Sequence, residues 1–66
     1  MNPAENVQAT IADLKQDKAL AELDGNMELA RWCEGALQDL TDDERRHGPA
    51  IAISRFITDH HHRRNA

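Results

Sequence analysis

Along the first third of the chain, apolar residues alternate in steps of three and four: Ala4, Val7, Ile11 and Leu14, then Lys18 and Ala21. That rhythm predicts an amphipathic helix and reads as a heptad seam of the kind two copies could share. Asn2 caps the start, Pro3 suits the first helical position and Glu5 answers the cap, so the helix is expected to run to about Leu23. Lys18 interrupts the seam. Either its stem lies over the apolar stripe with the ammonium in water, or it sets register as a polar seam residue. Leu20 and Leu23 lie off the seam and are expected to pack where the chain turns at Asp24-Gly25-Asn26.

The second periodic segment is wider. Leu29, Ala30, Trp32, Cys33, Ala36, Leu37 and Leu40 fill an arc of roughly 160° on a helix capped by Asn26. Ala30, Cys33 and Ala36 line its centre with small side chains, which marks it as the central helix. Thr41-Asp42-Asp43-Glu44 has the form of a new cap followed by acidic residues. It predicts an end near Leu40, then a short helical turn over 42–47. Gly48-Pro49 interrupts, because a proline within a helix clashes with the preceding turn and leaves a bond unmade. A last helix is expected from Pro49 to about His61, with Ala50, Ile53, Phe56 and Ile57 on its inner face and Ile51 pointing the other way. A kinked single helix over this region is the alternative. A strand at Ala50–Ile53 has no second strand to pair with.

Composition sharpens this picture. The chain has 66 residues, with one Trp, one Phe, no Tyr and ten Ala. Domains of this size bury only about 60% of the surface their unfolded chains expose, and usually need a disulfide, a metal or a partner. Cys33 is the only cysteine, so an internal disulfide is excluded. Self-association is therefore expected, with Val7, Ile11, Leu14 and Lys18 as the seam between copies.

The net charge of −4 disfavours nucleic acid as a partner. A helix-turn-helix reading would offer Ser54, Arg55 and Thr58 to bases from an acidic body, a poor design for DNA. No apolar run is long enough to span a membrane. The start, MNPAENVQ, lacks a basic region followed by an apolar stretch, so a cytoplasmic location is expected.

Candidate chemistry is sparse. His60, His61 and His62 are consecutive, so on a helix they point about 100° apart and cannot share one ion. Cys33 sits in the middle of the most apolar face, where a thiol behaves as a small hydrophobe. No catalytic, metal or cofactor residues are assigned. Arg45 and Arg46, with Arg63 and Arg64, could gather around an anion; the plainer reading is local pairing with Asp42 or Asp43.

These features predict an all-α, three-helix domain over residues 1–62, a helical hairpin plus a C-terminal helix, with a basic tail at 63–66. The expected role is that of a non-enzymatic accessory, adaptor or inhibitor, by analogy with small phage and plasmid proteins. It would bind itself and another protein through Leu29, Trp32, Ile51 and Phe56, with Arg45 and Arg46 at the rim. An oligomeric binder of an anionic small molecule such as a nucleotide is the second reading, and a DNA-binding regulator the third.

Overall fold

The computed structural model describes the backbone of residues 2–64 and the side chains of residues 2–59. Three helices follow one another: α1 (Pro3–Leu23), α2 (Met27–His47) and α3 (Pro49–Arg64). α1 packs on α2, α2 on α3, and α3 closes back on α1, so α2 is the central helix. The longest dimension of the molecule, 34 Å, is close to the roughly 32 Å length of a 21-residue helix.

The ends of α1 are set locally. The Asn2 side chain accepts the Glu5 N–H at 2.9 Å, and its amide donates to the Glu5 carboxylate at 3.2 Å. At the other end, the Asn26 N–H donates to the Ala21 carbonyl at 2.8 Å and the Gly25 N–H to that of Glu22 at 3.1 Å. This paired closure needs a left-handed residue, and Gly25 supplies it at φ +75°. Asn26 then caps α2 by accepting the Leu29 N–H at 3.2 Å.

The expected break at Thr41 does not occur; α2 continues to His47. The Thr41 hydroxyl turns back to donate to the Leu37 carbonyl at 2.7 Å, a bond made inside a helix rather than at its start. No proline falls within 27–47, Leu40 immediately before the apparent cap is buried, and Asp42, Asp43 and Glu44 after it are half-buried. The chain turns only at Gly48, whose φ of +89° and ψ of 166° lie where side-chain-bearing residues are strained. Gly48 closes α2 through its N–H to the Glu44 carbonyl, and its own carbonyl accepts the first α3 bond from Ala52. Pro49, with no N–H to satisfy, fits the first helical position. The α3 backbone runs on to Arg64, beyond the expected end near His61.

The core is thin. Val7, Leu14, Ala36, Leu40 and Ala52 form one buried cluster, with Ile11, Trp32, Leu37, Ile53 and Phe56 half-buried against it. Ala21, Ala30 and Cys33 are buried as well. α3 is rotated from the expected face: Ala52 is fully buried, whereas Ala50 is exposed and Ile57 is 60% exposed. Ala52 puts a small side chain where α3 joins the core cluster of the hairpin. An ion pair at 3.5 Å between Arg55 on α3 and Asp43 on α2 fits the same rotation.

Candidate functional site

The residues expected to form a seam between copies lie on the inner face of α1. Val7 and Leu14 are buried by their own chain, and Ile11 packs half-buried against the same cluster. In this fold that stripe is occupied by α2 and α3. Lys18 is half-buried, with its ammonium 4.0 Å from the Glu34 carboxylate of α2. This places its charge at the edge between α1 and α2.

The expected contact residues do not form one surface. Leu29 and Trp32 lie in the first two turns of α2, near the α1–α2 turn. Arg45, Arg46 and Ile51 gather at the opposite end, around Gly48. Phe56 lies between, half-buried against the core. Leu29 is 42% exposed although it points into the inner sector of α2. At about 1.5 Å per residue the described backbone of α3, returning from Gly48, reaches back to about the level of Trp32. Trp32 is half-buried and Ile51 stands 48% exposed on the outer side of α3.

Arg45 and Arg46 are both engaged by one carboxylate. Arg45 donates to one Asp42 oxygen, and Arg46 lies 3.2 Å from the other. These exposed contacts are local helix pairs, three and four residues apart, and they neutralise much of the charge an anion would seek. The side chains of Arg63 and Arg64, and those of His60, His61 and His62, lie outside the described residues. Among the described residues, no group of three or more His, Cys, Asp or Glu could hold a metal ion.

Cys33 is fully buried and free. Burial pushes its thiol upward, and the Asp17 carboxylate adds to this against a smaller opposing effect of Lys18. A buried thiol held in its neutral form packs as a small hydrophobe. A shallow open groove between α1 and α2 has Ile11 and Leu37 on its floor and Gln8, Lys15, Gln38 and Arg45 at its rim. Asp39 and Asp42 line it as well, and Asp42 is the carboxylate that engages Arg45.

Sequence reasoning missed the outer side of α1. Leu20 and Leu23, expected to pack at the turn, are 52% and 84% exposed. Met27, at the start of α2, is exposed too. The signal was present in the sequence: Leu14 and Leu23 stand nine residues apart, and nine steps of about 100° return half a turn.

What the geometry defines is a small antiparallel three-helix bundle with apolar side chains on its surface. In comparisons with known proteins, no family model, no curated protein and no solved structure matches this chain. Among the described residues, no helix is long and apolar enough to cross a membrane.

Proposed function

We propose that this protein is a non-enzymatic interaction module, an accessory, adaptor or inhibitor that self-associates and binds another protein. One observation carries the reading. Among the described residues, six large apolar side chains are exposed (Leu20, Leu23, Met27, Leu29, Ile51 and Ile57), whereas the large ones in the buried core are Val7, Leu14 and Leu40. A monomeric protein can scatter single apolar residues on its surface without consequence. Outnumbering its own buried ones is different, because each exposed residue gives up burial that the thin core lacks.

The contact surface for another protein is the open end of α2, where Leu29 stands exposed beside Trp32. Ile51, rimmed by Arg45 and Arg46, forms a second patch. Local pairing with Asp42 weighs against the small-anion reading, and the Asp43 pair of Arg55 against the DNA reading.

The test is capture from host extract by the immobilised full chain, with Leu29→Ser, Ile51→Ser and Ile57→Ser compared. A partner retained by wild type should bind Leu29→Ser about 30-fold more weakly, the effect of removing a roughly 2 kcal/mol anchor. Ile57→Ser should leave its binding unchanged. Extracts that yield nothing the variants alter would refute the reading.

A further inference from the structure

The geometry points to the outer face of α1 as the surface through which two copies of this chain pair, antiparallel, about a two-fold axis. The inference rests on the reading of the protein as a self-associating module and names the surface that does it.

α1 carries a second heptad stripe. Ala9, Ala12, Gln16, Ala19 and Leu23 follow one another in steps of three, four, three and four, and every one is exposed. They lie on the side of α1 opposite Val7, Leu14 and Ala21, facing away from both α2 and α3. Leu20 stands at one edge of the stripe. A helix apolar on two opposite faces is normally covered on both. The alanines permit a close approach, and the exposed leucines supply material to bury.

The second copy is singled out because the stripe is complementary to itself in one register. Let two α1 helices run antiparallel with Ala12 opposite the other copy's Leu23. Gln16 then faces the other copy's Ala19, so each layer sets a long side chain against a small one. Lys15 and Glu22 share one edge of the stripe, and in this register each Lys15 lies beside the other copy's Glu22, twice over. The structure gives neither Lys15 nor Glu22 an ion pair among the described residues. On the opposite edge Asp13 faces the other copy's Leu20. A shift of one heptad in one direction sets Lys15 beside Lys15 and Asp13 beside Asp13. A shift in the other sets Glu22 beside Glu22. Both are penalised by like charges, so charge selects the register that layer packing also favours. Matching of a surface to itself about one axis is what an isologous contact requires.

The strip from Ala9 to Leu23 is about 22 Å long. One helix wide, it is smaller than the roughly 800 Å² per partner of a standard interface. Association should therefore be reversible, with a dissociation constant in the micromolar range.

The test is sedimentation equilibrium of the full chain across micromolar to millimolar concentration, at low and high salt. Leu23→Glu should weaken self-association at least tenfold. K15E and E22K should each weaken it about tenfold, since each turns two attractions into two repulsions. The double variant K15E/E22K should recover wild-type affinity, and a mixture of the two single variants should associate more tightly than either alone. All these side chains are exposed, so melting curves of the variants should match wild type at dilutions where the chain is monomeric. Dimerisation that neither charge reversal nor Leu23→Glu disturbs would overturn this surface while leaving self-association standing. A monomer throughout the range would overturn both, without touching the binding of another protein.

Discussion

Leu40 is the most informative side chain to shorten. It is 1% exposed, the largest of the fully buried side chains, and it touches the cluster in which Ala36 and Ala52 are its small neighbours. Leucine-to-alanine changes in cores cost about 2–5 kcal/mol, the high end applying where neighbours cannot move in to fill the space. Alanine has no side-chain rotamer with which to do so, which places Leu40→Ala at about 3–4 kcal/mol. For 66 residues, total stability at roughly 0.05–0.15 kcal/mol per residue is about 3–10 kcal/mol. The substitution should therefore remove a third or more of the stability and could unfold the protein at 25 °C. Urea titrations followed by helical circular dichroism and Trp32 fluorescence, at fixed protein concentration, give the loss as a shift in midpoint. Leu23→Ala, the same chemistry at an 84% exposed position, is the control and should stay within about 0.5 kcal/mol when measured at dilutions where the chain is monomeric. A loss below about 1 kcal/mol for Leu40→Ala, or equal losses at the two positions, would refute the thin-core account.

The other expectations follow from single features. Ala52→Leu inserts volume where α3 joins the core cluster and should destabilise by about 1–3 kcal/mol in the same titration. Asn26→Ala removes the acceptor of the Leu29 N–H while leaving the Asn26 backbone bond to Ala21 intact, at a cost of about 1 kcal/mol. Cys33 is harder to ionise in the folded state than its ordinary value of 9.0. Below that pH folded and unfolded chains both keep the proton, and above it only the unfolded chain gains by releasing it. Stability should therefore fall as pH rises past 9.0, and Cys33→Ala should flatten that part of the profile; equal slopes would refute the burial argument.

Helix ends were legible in the sequence wherever a residue's own chemistry decides them. Asn2-Pro3, Gly25-Asn26 and Gly48-Pro49 mark the real boundaries, because caps, left-handed glycines and prolines act within one turn of chain. Thr41 misled because a capping pattern is a local preference, and the helix it sits in is held by Leu40 against distant residues. The rotation of α3 was not legible either. Ala50 and Ala52 look alike in a periodic pattern, and only the approach of the hairpin distinguishes the one that must be small. The stripe Val7–Ile11–Leu14 was expected as a seam between copies, and in this fold it faces the chain's own α2 and α3. Periodicity cannot tell whether the covering helix belongs to the same chain. The exposure of Leu29, which shares the inner sector of α2, was not legible either.

The outer stripe of α1 has a simpler explanation that must be met. Alanine is the best helix former, so Ala9, Ala12 and Ala19 could stand on an open face for propensity alone. Glutamate, lysine or glutamine would do nearly as well there and keep the face polar. Propensity also gives no reason for Leu20 and Leu23, whose exposure wastes burial in a chain that has so little. Nor does it set Lys15 and Glu22 seven residues apart on one edge, where an antiparallel copy brings opposite charges together. The bundle is short of apolar area inside and carries part of its exposed apolar area on the outer face of α1. Pairing those outer faces would bury it in the α1 of each copy without altering the fold of either.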